Sequence, residues 1–184
     1  MEDTRCARER AADWVQSALG RFEKPLMRYA IHLVGSAETA QDVVQDTFLK
    51  LCSADRDKVG DHLGPWLYTV CRNRALDICR KERRMMPLTE GVRDRLADTR
   101  PPMTGSPSDA ADFHERESKV KQALGGLTRN QQEVIRLKFQ NALSYREISE
   151  VTGLSISNVG YLIHMGLRQM RQQLGVSQPL GGQS

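Results

Sequence analysis

Apolar residues recur at three- and four-residue steps in two separate blocks of this sequence, residues 1–86 and residues 114–174. No stretch alternates apolar and polar residues in the way of a half-buried strand. Steps of three and four place apolar side chains along one face of an α-helix, and that face must be buried against other helices. The pattern therefore predicts an all-α protein built from two small helical domains.

Residues 87–113 separate the two blocks and differ from both in composition. They are rich in proline and small residues and carry 3 basic against 5 acidic side chains. A segment of this kind cannot bury enough apolar surface to fold alone, so we interpret it as a flexible linker. The last residues, 175–184, are expected to form a disordered tail.

Helix boundaries in the first block are indicated by glycine, serine and proline. A first helix is expected to end at Gly35, and Ser36 is expected to cap the second. Residues 53–63 are polar and predict a loop. A third helix is expected to begin at Pro65, because proline is favoured at the first helical position, and to run to the vicinity of Arg84.

The second block contains the layout of a helix-turn-helix. Thr128 with Gln131 and Ser144 with Glu147 are capping-box signatures, each marking the start of a helix. After the second of these starts comes a helix, a short turn that holds Gly153, and another helix. Many helical hairpins have a glycine turn, so this layout alone does not define a function.

A basic cluster with one asparagine distinguishes the third helix. Residues 72–84 contain six basic side chains against two acidic ones, with Asn73 among them, and the whole chain has a formal charge of +4. Such a face can neutralise phosphates, while an asparagine can hydrogen-bond to a base edge. A solvated charged face with no ligand explains the cluster equally well.

Several classes of protein find no support in the sequence. The four cysteines have no metal-ligand spacing, and no acid–base pair or glycine-rich phosphate loop is present, so we expect no metal, no cofactor and no enzymatic activity. No apolar run is long enough to span a membrane, and the N-terminus lacks a signal core. A cytoplasmic protein without membrane insertion is expected.

Two stretches in the first block, ETAQDVVQDTFLKL (38–51) and PWLYTVCRNRALDICRKERR (65–84), together resemble the second domain of extracytoplasmic-function sigma factors. The segment LTRNQQEVIRLKFQNALSYREISEVTGLSISNVGYLIHMGLRQMR (127–171) resembles their fourth domain. The resemblance implies a sigma factor that binds core RNA polymerase and directs it to promoters. The alternative is a helix-turn-helix transcriptional regulator that is not a polymerase subunit, which would leave 38–84 without a purpose.

The resemblance also implies partners and contact residues. Core polymerase would be bound through the clamp coiled coil of its largest subunit and the flap of its second-largest subunit, and an anti-sigma factor is expected as regulator. The residues that match the clamp-binding positions are Asp42, Gln45, Asp46 and Phe48. Those that match the positions holding the melted non-template strand of the −10 element are Arg72, Asn73, Arg74, Arg80, Lys81 and Arg84. For Phe48, packing in the core is an alternative that stays open.

The second helix of the helix-turn-helix would enter the major groove of the −35 duplex. The residues expected to contact it are Arg146, Ser157, Asn158, Tyr161, Leu162, His164, Met165 and Arg168. The sequence departs from the family here, because no residue from Gly153 to Leu167 carries a full charge. The helix could read bases through Asn158 and apolar contacts to thymine methyls. Alternatively, its exposed apolar residues could form a protein-docking patch.

Overall fold

A computed structural model describes the backbone of residues 2–85 and 107–175 and the side chains of residues 12–84 and 115–175. All regular elements in these ranges are helical, which confirms the all-α prediction. The chain divides into two compact units. The helices are α1 (Glu2–Val34), α2 (Ala37–Cys52), α3 (Arg56–Val59), α4 (Leu63–Met85), α5 (Pro107–Gly125), α6 (Arg129–Phe139), α7 (Tyr145–Thr152) and α8 (Ile156–Gln173), with a 3-10 turn at Gly60–His62. None of the described helices is both long enough and apolar enough to cross a bilayer.

The predicted boundary between α1 and α2 is confirmed. Gly35 has a φ of +75°, a left-handed conformation that costs glycine little, and its N–H donates to the carbonyl of Ile31 at 2.8 Å. Directly after it, the Ser36 hydroxyl accepts a hydrogen bond from the Thr39 N–H at 3.3 Å and caps α2. These two residues reverse the chain so that α2 packs against α1.

The core of the first unit lies between α1, α2 and α4. Leu26, Leu51 and Leu67 are completely buried, one from each of these helices. The rings of Tyr29 and Tyr68 meet edge to face, with their centroids 5.3 Å apart. Burying one large apolar side chain contributes about 1.5–3 kcal/mol, so this three-helix interface fixes the outward faces of α2 and α4 in relation to each other.

The segment predicted as a loop, 53–63, is largely helical in the structure. The Asp55 carboxylate accepts a hydrogen bond from the Asp57 N–H at 3.1 Å and caps the one-turn helix α3. Val59 is buried and anchors this helix to the core. The prediction is wrong because polar composition alone does not determine a loop, and a cap with one buried valine suffices for a single helical turn.

The predicted start of α4 and the predicted extent of the linker also need correction. Helix α4 begins at Leu63, so that Pro65 is its third residue, a position where the N–H has no partner within the helix. Helix α5 begins at Pro107, inside the segment 87–113 that was predicted as linker. Proline there suits the first turn, and the alanines that follow favour a helix over a linker. The rest of the predicted linker and residues 176–184 of the tail lie outside the described residues.

The second unit contains the helix-turn-helix. Both predicted capping boxes are present, at Thr128 before α6 and at Ser144 before α7. Gly153 ends α7 with a φ of +75°, and Ser155 then caps α8. The turn therefore has the glycine that the sequence predicts, followed by a serine cap.

Helix α8 is held against α5 and α6. Leu124, Leu127 and Ile135 form a buried cluster against which Met170 packs. Val159 and Ile163 are buried nearer the start of α8. The opposite side of α8 remains accessible to solvent.

Candidate nucleic-acid and polymerase interface

One side of α2 is polar and accessible because its apolar side faces the core. Asp42 and Gln45 are exposed, and Asp46 is half-buried. Leu49, one turn after Gln45, is 66% exposed, which is unusual for a leucine in a packed helix. The buried positions of the helix are Ala40, Val43, Val44, Thr47, Phe48 and Leu51. The accessible side thus combines carboxylates, an amide and one apolar side chain.

Phe48 belongs to the core side of α2, where its side chain is 7% exposed. This burial agrees with the core-packing alternative. Three of the four side chains predicted to bind polymerase, Asp42, Gln45 and Asp46, are thus accessible to a partner. Phe48 lies in the core and supports such a surface by holding α2 in place.

Helix α4 exposes Asn73, Arg80, Lys81 and Arg84. Arg72 and Arg74 are half-buried and flank this exposed stripe. The inward side of the helix carries Cys71 and Tyr68, and burial raises the pKa of both side chains, to about 12 for the Cys71 thiol. Asn73, Arg80, Lys81 and Arg84 therefore form one exposed stripe of α4, with Arg72 and Arg74 at its two edges and Cys71 and Tyr68 turned inward.

An ion pair joins the accessible side of α2 to that of α4. The Arg74 Nε donates to the Asp46 Oδ2 at 2.6 Å, and the two side chains are 36% and 38% exposed. A second pair lies on α4 itself, where the Arg80 Nη1 is 3.0 Å from the Asp77 Oδ1. A shallow open cleft between the helices is lined by Asp46, Leu49, Lys50, Ser53, Asn73, Arg74 and Asp77.

Sequence reasoning missed Leu49, Lys50 and Ser53 as part of this cleft. Leu49 and Lys50 are exposed positions of α2 outside its apolar stripe, and Ser53 is the residue that caps its C-terminal end, so the helical phase of the buried residues was the signal that could have found them. The sequence also gave no indication that Arg56 of α3 would lie over the Trp14 ring, 5.9 Å from its centroid. This contact ties α3 to α1.

In the second unit, the predicted −35 residues gather on the accessible side of α8 and at the start of α7. Those exposed are Arg146, Ser157, Asn158, Tyr161, His164 and Arg168, and those half-buried are Leu162 and Met165. Tyr161 is 61% exposed, and Ile156 at the start of the same helix is 51% exposed. Apolar and neutral polar groups dominate this surface, and its charges lie at its edges, on Arg146 and Arg168.

Tyr145, the first residue of α7, was not predicted to lie at this surface. Its ring packs beside Gly160 of α8, where an added Cβ would come 3.6 Å from the ring, and the Lys138 Nζ lies 5.3 Å from the ring centroid. The side chain is 40% exposed. A glycine in the middle of an otherwise well-formed helix was the available signal for such a close neighbour.

Comparison with known protein families matches each of the two units to a family model. The family model for sigma-70 region 2 matches residues 18–85, and that for sigma-70 region 4 matches residues 118–170. The first range contains α2 to α4 and the second contains the helix-turn-helix. The fold and the two surfaces thus define a sigma-70-type transcription factor.

Curated relatives and a solved structure narrow the class. The chain is 28% identical to the ECF RNA polymerase sigma factor EcfG of Rhodopseudomonas palustris over 73% of this chain and 70% of that protein. It is 29% identical to the ECF RNA polymerase sigma factor SigL of Mycobacterium tuberculosis, over 83% and 85%. The sigma factor RpoE of Bartonella quintana, in a co-crystal with the anti-sigma factor NepR, is similar with a TM-score of 0.69 and 25% identity, over 89% and 98%. The chain belongs to the extracytoplasmic-function sigma factors of the sigma-70 family.

Proposed function

We propose that this sigma factor binds the clamp coiled coil of core RNA polymerase through the accessible side of α2. Asp42, Gln45 and Asp46 offer carboxylates and an amide to cationic side chains of a partner helix, in hydrogen bonds that charge strengthens. The exposed Leu49 supplies an apolar contact beside them. Phe48, which is buried, positions this side of the helix.

Helix α4 and the α3 segment bind the melted non-template strand of the −10 element in this proposal. Arg72, Arg74, Arg80, Lys81 and Arg84 attract its phosphates, and Asn73 hydrogen-bonds to an unstacked base. The Asn73 amide has no hydrogen-bond partner among the described residues, so it is available to a base edge. The observation that carries the proposal is this exposed stripe of α4, basic and with one free amide, held directly beside the polar side of α2.

Run-off transcription by core polymerase with this protein, over a library of upstream sequences, tests the assignment. Transcripts that share −35 and −10 elements are expected. Asn73→Ala and Arg80→Ala should each reduce transcription at least several-fold, whereas Lys24→Ala, which removes an exposed cation from α1, should not. If the α4 variants transcribe as well as Lys24→Ala does, α4 is not the −10 surface.

A helix-turn-helix regulator that does not act as a polymerase subunit is not favoured, because the region 2 match to residues 18–85 would then have no role. Stoichiometric co-elution of the protein with core polymerase separates the two functions directly.

The proposal also places the protein in the cytoplasm, because promoter DNA and polymerase are found there. In this proposal the protein acts by binding and not by catalysis.

Binding to the −35 duplex is assigned to α8 and is proposed to be weak or assisted by another protein. From Gly153 to Leu167 the chain carries no full charge, so this surface lacks the phosphate contacts that give most DNA-binding helices their affinity. The exposure of Tyr161 and Ile156 favours the docking of a further protein. A tight and strongly salt-dependent complex with −35 duplex alone would contradict this part of the proposal.

Regulation by an anti-sigma factor completes the proposal. The similar RpoE structure is a complex with the anti-sigma factor NepR, and the family resemblance implies a partner that covers the same surfaces. Contact with the flap of the second-largest polymerase subunit is assigned to the second unit on the same resemblance. Reconstituted repression of the run-off reaction by a candidate partner tests this step.

A further inference from the structure

We infer that Asp46 is a positioning residue for DNA binding, because it fixes the guanidinium of Arg74 so that its terminal nitrogens are available to a phosphate of the −10 strand. The inference rests on the proposed role of α4 in binding that strand. It assigns to a carboxylate of the proposed polymerase-binding helix a second task, in the neighbouring interface.

The geometry of the pair supports this role. Asp46 accepts from Nε of Arg74, at 2.6 Å. Among the side chains that the structure describes, Asp46 is the only hydrogen-bond partner of Arg74, so both terminal Nη groups remain open. These two groups form one end of the guanidinium fork, which matches two oxygens of a phosphate.

The location of the pair is equally specific. Arg74 lines the cleft between α2 and α4 together with Asn73 and Lys50. A phosphate bound there by Arg74 would lie in the same cleft as the amide that is proposed to read a base and as the exposed Lys50. Arginine has many rotamers, and an arginine held in place by a carboxylate loses less entropy when it binds.

The Asp77–Arg80 pair on the same helix does not have this geometry. There a terminal nitrogen, Nη1, is the donor, at 3.0 Å, and the two side chains are 67% and 56% exposed. Asp77 therefore occupies part of the fork that a phosphate would need. We therefore expect the two arginines to differ: the neighbouring carboxylate strengthens phosphate binding by Arg74 but not by Arg80.

Simple electrostatics predicts the opposite effect for Asp46. Its negative charge repels phosphates, so its removal should strengthen DNA binding if orientation is unimportant. The sign of the effect therefore distinguishes positioning from repulsion. If the ion pair only stabilised the fold, and the variant still folded, the affinity for DNA would not change in either direction.

The test uses holoenzyme assembled from the full chain and a saturating excess of core polymerase, so that weakened polymerase binding does not affect the result. The probe is a fluorescent non-template oligonucleotide that carries the −10 sequence of a promoter recovered by run-off transcription. Asp46→Ala is expected to weaken binding of this probe by about three- to ten-fold, the range for loss of one preorganised side chain. Glu38→Ala, which removes an exposed carboxylate from the same helix, is the matched control and should not weaken it.

A double-mutant cycle completes the test. In an Arg74→Ala background, Asp46→Ala should no longer weaken binding, since there is no guanidinium left to position. If Arg74→Ala weakens binding of the probe but Asp46→Ala leaves it unchanged or makes it tighter, the inference about Asp46 is wrong. The proposed −10 surface would still stand in that case. If Arg74→Ala and Arg80→Ala both bind the probe as the unmodified protein does, the proposed surface itself fails.

Discussion

Gly166 of α8 lies so close to Ile135 of α6 that a Cβ built on the glycine would come within 2.6 Å of the isoleucine Cδ1. The same Cβ would lie 3.4 Å from the Cδ1 of Leu127. A hydrogen at this position lets the two helices approach and places the accessible side of α8 at a fixed depth above the core. The glycine in the middle of this helix therefore serves packing.

Gly166→Ala is expected to destabilise the protein by about 1–3 kcal/mol, the usual cost of overpacking, even though alanine is the better helix former. The measurement is chemical denaturation followed by circular dichroism. Ile135→Val removes the clashing methyl group and should recover part of the loss when it is combined with Gly166→Ala.

Gly160→Ala is the matched control for this prediction. An added Cβ there meets only the Tyr145 ring, at an ordinary 3.6 Å, so stability should be unchanged or slightly higher. If the two alanine variants were equally stable, the prediction would be wrong, because α8 could then move to accept the added methyl group without a loss of unfolding free energy.

Stability is expected to fall in alkaline solution because of Cys71. Burial raises its pKa from 9.0 to about 12, so the folded state keeps a proton that the unfolded state has lost between these values. The contribution of the thiol to the unfolding free energy should therefore be constant below about pH 9 and decrease by up to about 1.4 kcal/mol per pH unit above it. Tyr68, whose pKa burial also raises, adds to the decrease above its ordinary value of 10.0.

Cys71→Ala isolates the contribution of the thiol. The variant should be less stable at neutral pH, because a buried side chain is truncated, but the decrease that begins near pH 9 should be delayed to the range of Tyr68. Denaturant midpoints measured from pH 7 to pH 11 check this. An unchanged pH profile in Cys71→Ala would mean that other groups cause the decrease.

The capping box of α7 is expected to contribute measurably to the second unit. The Ser144 hydroxyl accepts from the Glu147 N–H at 3.2 Å, and the Glu147 carboxylate accepts from the Ser144 N–H at 2.7 Å. Ser144→Ala should cost about 1 kcal/mol. Thermal melting is the measurement, and Ser118→Ala, at an exposed position of α5, should leave the melting temperature unchanged or slightly raise it. A similar melting temperature for both variants would contradict the role of the cap.

A charge placed on α8 should strengthen duplex binding. Met165→Arg adds a cation to the accessible side of this helix, and one new phosphate contact is expected to steepen the dependence of log K on log salt by about 0.9. Binding of −35 duplex by the full chain at several salt concentrations measures it. Val120→Arg adds the same charge at an exposed site of α5, and an equal change in both variants would exclude α8 as the DNA-facing surface.

The sequence allowed the helices and their caps to be predicted because those signals are local. Gly35, Ser36 and Ser144 act on backbone groups within four residues of themselves, so their neighbours in the sequence determine their role. Helix α3 was missed because its stability depends on Val59 reaching a core formed by other helices. The start of α5 was missed because proline and alanine were counted with the linker composition and not as a helix start.

The candidate site was predictable residue by residue but not as an arrangement. Asn73 and Arg80 could be proposed from the composition of α4 and from family resemblance. The pair of Asp46 and Arg74 could not, because the residues are 28 positions apart and meet only when α2 packs on α4. Helical phase could have excluded Phe48 from the accessible side, since it follows Val44 by four residues on the apolar stripe.

The lack of charge on the accessible side of α8 also bears on how copies of this protein would distribute along a chromosome. Proteins with cationic recognition helices are retained by bulk DNA at any sequence, and this retention lowers the concentration that is free to reach other partners. From Gly153 to Leu167 this helix offers bulk DNA no ionic attraction. The recognition helix would therefore contribute little to retention on bulk DNA, and any such retention would come from other cationic surfaces, such as the basic side of α4.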